Sequence, residues 1–448
     1  MITNIETYLS QFYQGTKDPT LNAMKYLAEK FNHPENLYKV IHIAGTNGKG
    51  STTEMFANVL QKQGYIVGKY ISPHLIKFNE RICVNQKQIE DKELLEILNQ
   101  LEPVVQKCEE HFQKKATFFE VTTMVAFIYF AKMKCDFVVL ETGLGGTYDC
   151  TNIVKPEISI ITSIGYDHMK ILGNSLEEIA ENKAGIIKQD SETIMIKQQE
   201  TVNQVFIKKC KEKNNKLHLL QENDAKNIKY DEQLQTFDYQ ERENIQINLK
   251  GKKQIHNALL VIKGVDILKE KGYQITEKAL REGLKTVIHK ARFEKISEKP
   301  TIIYDGAHNE EAILNFQNSV KMYAKDKKRV YIFSALERKE YNKILKILLE
   351  DEKATFIFHD GITENQSKDF HYVSHEELRK EAVKLTNNKQ LYAMTLEEAL
   401  QIVNEKYKDA VVFIVGSFYL YGTVIEILNK IQKRKKSGKN IRENGKIG

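Results

Sequence analysis

A chain of 448 residues is long enough for two or three domains, each with its own core, and 41% hydrophobic with 28% charged residues excludes a wholly disordered or fibrous protein. Five scattered cysteines (Cys83, Cys108, Cys135, Cys150, Cys210) without a C-x-x-C pair indicate neither a zinc knuckle nor a disulfide framework and suit a reducing, cytoplasmic setting. The net charge of +7 sits in residues 430–448, so residues 1–429 are formally neutral, which argues against a nucleic-acid-binding face and leaves 433–448 as a basic tail expected to be disordered.

The N-terminus has no basic segment followed by an apolar one and does not read as a secretory signal. The most apolar stretch, Phe118 to Met133, is interrupted by Glu120, Thr122, Thr123 and Lys132 and reads as a buried helix, not a membrane span. In chain order, strands are expected at 40–44, 65–71, 137–142, 158–163 and 193–196, alternating with helices that include 51–63 and 119–132. Apolar runs such as Phe137-Val138-Val139-Leu140 suit strands buried on both faces of a parallel sheet. Residues 210–255 turn polar and weakly alternating, which suggests a β-rich excursion, and helices follow at 257–269 and 276–287. A second α/β series starts after Pro300, with strands at 301–304, 330–333, 355–358 and 411–415 and helices at about 310–324, 339–349, 375–385, 396–406 and 420–431. The expected architecture is α/β: an N-terminal phosphate-loop ATPase domain with a mostly parallel sheet (1–290), a linker (291–299) and a smaller Rossmann-like domain (300–432).

Gly45-Thr46-Asn47-Gly48-Lys49-Gly50-Ser51-Thr52 lies between a strand and a helix. Glycines let successive N–H groups form an anion nest, the helix N-terminus adds partial positive charge, Lys49 offers a cation to phosphates, and Ser51 can ligate Mg²⁺. Ile43 and Gly50 depart from strict Walker spacing, and the bland alternative is a glycine-rich turn with a surface lysine. Glu141, before Gly143-Leu144-Gly145-Gly146, is a carboxylate at a strand's carboxyl end that needs a cation or backbone N–H partners. Asp167-His168 reaches the same rim, where a histidine taken alone is more often a hydrogen-bonded structural residue; Lys183 by spacing alone is a solvated helix lysine. In the second series, Asp305-Gly306-Ala307-His308-Asn309 and Gly416-Ser417-Phe418-Tyr419 follow strands of one sheet, although Asp305 and Asn309 could simply cap the next helix.

The set GTNGKGS, ISPHL, ETGLGG with Asp149 and Thr151-Asn152, DH with Leu172-Gly173, NKAGIIK, RFE (Arg292 to Glu294), DGAHN and GSFYL, in this order from Gly45 to Leu420, resembles the folylpolyglutamate synthase and dihydrofolate synthase family of Mur-ligase-like ATP-dependent amide ligases. The resemblance implies that Thr46 through Thr52, and Lys49 above all, hold the ATP phosphates. It implies that Ser51, Ser72, Glu141, His168 and Lys183 serve two Mg²⁺ ions, with Lys183 carbamylated. It further implies that Asn257, Arg292 and Asp305 contact the nucleotide, and that His308 and Ser417 orient the incoming glutamate. Lys49, His168, Lys183 and His308 are thus the catalytic candidates. The chain departs from the family pattern at Thr147 (usually Arg), Lys253 (usually His), His289-Lys290-Ala291 (usually Trp-Pro-Gly), Glu310 (commonly Pro) and Arg338 (usually Asp). The expected function is an ATP- and Mg²⁺-dependent ligase, active as a monomer, that adds L-glutamate to tetrahydrofolate or dihydropteroate through an acyl phosphate. The rivals are a paralogue with another carboxylate acceptor and a nucleotide-binding regulator without ligase activity. No nucleic-acid or membrane partner is expected.

Overall fold

The structure, a computed structural model, describes residues 2–12, 20–337, 340–361 and 371–444. It divides into two compact units, Met1–Asn248 with Lys253–Ile288, and Leu249–Lys252 with His289–Gly448.

The first unit is built on strands β1 (Lys39–Ala44), β2 (Val67–Tyr70), β3 (Ile82–Val84), β4 (Lys87–Gln88), β5 (Phe137–Glu141), β6 (Ile158–Ile161), β7 (Glu192–Ile196) and β8 (Lys216–Leu220), ordered β4-β3-β2-β5-β1-β6-β7-β8. Neighbours from β2 to β8 are parallel, while β3 and β4 form an antiparallel extension at one edge. β2, β5 and β6 are buried along their whole length, as befits parallel strands covered on both sides. The helices Asn22–Lys30, Asp91–Phe112 and Phe118–Lys132 bury Met24, Leu98, Phe127 and Phe130 in one core with Val138 and Leu140 of β5. A second cluster holds Ile161, Ile179, Ile186 and Phe206.

The expected excursion is in two parts: β8 joins the main sheet, and β9 (Lys226–Tyr230), β10 (Gln235–Tyr239) and β11 (Arg242–Ile247) form a separate antiparallel sheet. The helix after the phosphate loop, Lys49–Gln63, starts after Gly48 and ends at Gly64, both left-handed. Helix Glu277–Thr286 packs against it so tightly that a Cβ on Gly283 would meet the Val59 Cα at 2.5 Å, and Asn58 donates to the Gly283 carbonyl at 2.7 Å.

The second unit has β12 (Glu294–Glu298), β13 (Thr301–Asp305), β14 (Arg329–Phe333), β15 (Thr355–Phe358), β16 (Leu391–Ala393) and β17 (Val411–Val415), ordered β12-β13-β17-β14-β15-β16. All pairs are parallel except β12 with β13. The segment expected to be the linker, 291–299, therefore contains a strand, because Glu294–Glu298 turns back at Lys299-Pro300 and completes a hairpin with β13. The start of the expected disordered tail also differs: the last helix runs Tyr421–Asn444. Residues 421–437 contain no helix breaker beyond Gly422, so backbone hydrogen bonding continues past 433. The segments 338–339 and 445–448, which include Arg338, lie outside the described residues. No helix among the described residues is long and apolar enough to cross a membrane.

Candidate active site

In the first unit the phosphate loop is pinned to the carboxyl end of β6. Thr46 N–H donates to the Ser163 carbonyl at 2.6 Å, its hydroxyl donates to the Gly165 carbonyl at 3.0 Å, and Asn47 bridges Ser163. Gly48 adopts φ +94°, and a Cβ there would fall 2.7 Å from Asn257 Oδ1, so glycine lets the loop lie against the helix Lys252–Glu270 without strain and without displacing Asn257. Asn257 is buried and donates to Gln254 Oε1 at 3.1 Å. Gly50, Ser51 and Thr52 open the helix, with Ser51 and Thr52 buried and the Thr52 hydroxyl donating to the Gly48 carbonyl at 2.9 Å.

Two lysines converge on this loop. Lys49 Nζ donates to the carbonyls of Gly45 (3.1 Å) and Thr46 (3.3 Å) and lies 3.9 Å from Glu141 Oε1. Lys183, arriving from helix Leu176–Lys183, is buried and donates to the same Gly45 carbonyl at 2.8 Å. Burial, and then the charge of Lys49, push the Lys183 amine down to about 7, with Asp167 and Asp149 opposing the shift. Lys183 is therefore not the solvated helix lysine that spacing alone suggests. Glu141 also accepts from the Ser72 N–H at 3.4 Å, which places Ser72 and Glu141 together. His168 has a left-handed backbone (φ 51°) and a half-exposed side chain whose Nε2 is 3.9 Å from Asp167 Oδ1. Among the described residues no group of three or more His, Cys, Asp or Glu is placed to hold a metal ion. The donor set that fits Mg²⁺ is the hard oxygen one, the Glu141 carboxylate with the Ser51 and Ser72 hydroxyls.

The glycine-rich turn after Glu141 is tied to the lysine-bearing helix. Gly146 N–H donates to Asn182 Oδ1 at 3.0 Å, and both the N–H and the hydroxyl of Thr147 donate to the Asn182 carbonyl at 2.8 Å. A Cβ on Gly185 would sit 2.2 Å from the Thr147 hydroxyl, so the residue that stands in place of the family arginine is packed into this junction. Lys253 is ion-paired with Glu222 at 3.3 Å.

In the second unit β13 and β17 are neighbours, and Asp305 and Val415 are in register, which brings the two motif loops side by side. Asp305 accepts from Phe293 N–H and Ala307 N–H, each at 2.8 Å; burial raises its carboxyl and Arg292 opposes that. The helix Glu310–Tyr323 is capped by Asn309, which accepts from Ala312 N–H at 2.9 Å, and not by Asp305. Glu310 fits the first turn because a carboxylate there complements the helix dipole. Arg292 stacks on Phe418, its Cζ 4.3 Å from the ring centroid, and the His308 ring meets Phe418 edge-on at 5.5 Å. Ser417 Oγ lies 3.0 Å from Tyr372 Oη and accepts from Tyr419 N–H at 3.2 Å. Ala291, where the family has glycine, is left-handed at φ 56°.

The structure thus gathers Thr46 to Thr52, Lys49, Ser72, Glu141, Lys183 and Asn257 in one unit, and Arg292, Asp305, His308 and Ser417 in the other. Sequence reasoning does not single out Phe418 or Tyr372; Phe418 lies inside the GSFYL motif, and an aromatic residue in a motif loop is the one signal that could have found it.

A phosphate loop on a parallel sheet, followed by a Rossmann-like unit, defines the Mur-ligase-like ATP-dependent ligases, and the Mur ligase middle domain family matches residues 43–263. The dihydrofolate synthetase C-terminal domain family matches residues 289–427. The dihydrofolate synthase/folylpolyglutamate synthase of Bacillus subtilis is 40% identical over 339 residues, 74% of this chain and 78% of that one. Folylpolyglutamate synthase of Thermotoga maritima superimposes with a TM-score of 0.79 at 30% identity, covering 95% of this chain and 96% of that one. Folylpolyglutamate synthase of Mycobacterium tuberculosis, solved with ADP and AMPPCP, gives 0.83 at 25% identity, covering 93% and 96%. The chain belongs to the folylpolyglutamate synthase/dihydrofolate synthase family of ATP-dependent ligases.

Proposed function

We propose that this chain joins L-glutamate to tetrahydrofolate and to dihydropteroate, using ATP, as a monomer in the cytoplasm. The observation that carries the reading is the meeting of Lys49, Lys183 and Glu141 at the Gly45 turn, two lysine amines and one carboxylate around a glycine nest. The Bacillus subtilis relative carries both synthase names. The nest of Thr46 to Thr52 and the Lys49 cation bind the phosphates and orient the γ-phosphoryl group toward the acceptor carboxylate. That oxygen takes the phosphoryl group, ADP leaves, the glutamate amine attacks the acyl carbon, and phosphate departs as the amide forms. Glu141, Ser51 and Ser72 would hold Mg²⁺, with His168 as a further candidate, and the ion would supply charge neutralisation on the phosphates. Asn257 in the first unit, and Arg292 and Asp305 in the second, are each proposed as nucleotide contacts, and His308 and Ser417 as residues that orient glutamate.

Lys183 is proposed to carry a carbamate and, in that form, to supply the second ion's oxygen ligand. Its support is the buried amine held near 7, since only a neutral amine attacks CO₂. Lys183→Ala should lose activity and regain part of it with acetate or formate; no rescue, together with an unmodified Lys183 mass in bicarbonate, refutes this. For the reaction itself, a product heavier by one glutamate with each acceptor supports the proposal, and no new product with either acceptor overturns it.

A further inference from the structure

Strand β1, which runs into the phosphate loop, carries a histidine that none of the site assignments uses. His42 is fully buried, with Nε2 2.8 Å from Thr151 Oγ1. Thr151 donates its hydroxyl to Asp149 Oδ1, and its backbone N–H reaches the same oxygen at 3.0 Å. The other oxygen, Oδ2, accepts Leu144 N–H at 2.8 Å, from inside the glycine-rich turn that follows Glu141. Burial raises the Asp149 carboxyl, and three donors aimed at it oppose that rise and favour the ionised form, which can only accept.

A hydroxyl has one proton. With that proton committed to Asp149, Thr151 must accept from His42, and His42 must hold its proton on Nε2. His42 Nδ1 is then a bare lone pair, and among the described residues it is buried with no hydrogen-bond partner. A neutral ring is what burial enforces, pushing the imidazole down to about 3. Asp149 also acts on Lys183 through its charge, so its orientation matters beyond its own turn.

We propose that His42 is a positioning residue for the ligase reaction: through Thr151 it fixes the Asp149 carboxylate and, with it, the turn between Glu141 and Thr147. The proposal rests on the assignment of Glu141 and Lys183 to the active site, but its first test does not. In ¹⁵N spectra of the full parent chain near neutral pH, His42 Nε2 should appear as a protonated nitrogen and Nδ1 as an unprotonated one. A proton on Nδ1, or on both nitrogens, overturns the proposal whether or not any variant folds.

The second test is kinetic. Thr151→Val removes the hydroxyl at nearly constant volume and should lower kcat/KM at least tenfold and erase the single-tautomer pattern of His42. Thr151→Ser keeps the hydroxyl and should retain both. His42→Leu should cost a similar factor, and the double variant with Thr151→Val should be no worse than either single one. Multiplicative losses, or parent turnover in Thr151→Val, overturn the proposal. Failure of the proposed function is distinguishable, because it shows as a parent chain that forms no glutamate adduct while the ¹⁵N result stands.

Discussion

Gly48→Ala isolates how the phosphate loop depends on a helix more than 200 residues away in sequence. A left-handed non-glycine residue costs about 1–2 kcal/mol in backbone strain alone. Gly64, at the other end of the same helix, has φ +103° and nothing within 4 Å of where a Cβ would stand, so Gly64→Ala incurs the strain and nothing else. At Gly48 the added Cβ lies 2.7 Å from Asn257 Oδ1, so Asn257 must move and its bond to Gln254 is lost, worth about 0.5–1.5 kcal/mol more. Both variants should lose comparable stability in urea unfolding, Gly48→Ala by the larger amount. Only Gly48→Ala should weaken ADP binding by calorimetry, by at least tenfold, and Asn257→Ala should relieve part of its stability loss. Parent-like ADP affinity in Gly48→Ala, or an equal loss in Gly64→Ala, would refute the reasoning.

Lys49→Ala should keep the fold and lose about 10- to 100-fold in nucleotide affinity, the worth of one charged contact of about 1.5–3 kcal/mol; near-parent turnover at saturating ATP counts against the phosphate-loop assignment. Lys183→Met tests linkage. The buried amine ionises at about 7 against an ordinary 10.5, so the unfolded chain binds more protons between those values and parent stability rises with pH across that window. The stability of the methionine variant relative to the parent should therefore be greatest at pH 6 and shrink by pH 9 in denaturant titrations; a constant difference contradicts a depressed amine. Phe418→Leu removes the ring under Arg292 and should weaken ADP binding about three- to tenfold, with Phe418→Tyr close to parent, since a cation–π contact is worth roughly 0.5–2 kcal/mol.

The two α/β series were legible because parallel strands buried on both faces leave continuous apolar runs, as at Phe137–Leu140 and Val411–Val415. Strand Glu294–Glu298 was not, because its one apolar residue, Ile296, lies among charged ones and its pairing comes from the hairpin with β13. β3, β4 and β16 are too short to show a period, at two or three residues each. In the site, contiguous motifs such as GTNGKGS could be read directly, and the order of the motifs pointed to the family. Contacts between distant segments could not: Asn257 against Gly48, Lys183 on the Gly45 carbonyl, and His42 to Thr151 depend on strand order and helix packing. Lys183 shows the difference most clearly, a helix lysine by spacing and a buried amine by structure.

In the proposed reaction the acceptor carboxylate is activated by phosphoryl transfer before glutamate attacks. The direct measurement uses an acceptor carboxylate labelled with ¹⁸O, with ATP, Mg²⁺ and L-glutamate, and mass analysis of the phosphate released. One ¹⁸O per phosphate, in step with ADP and glutamylated product, is the predicted result. Unlabelled phosphate accompanying product, or phosphate release that does not depend on any folate acceptor, would contradict it.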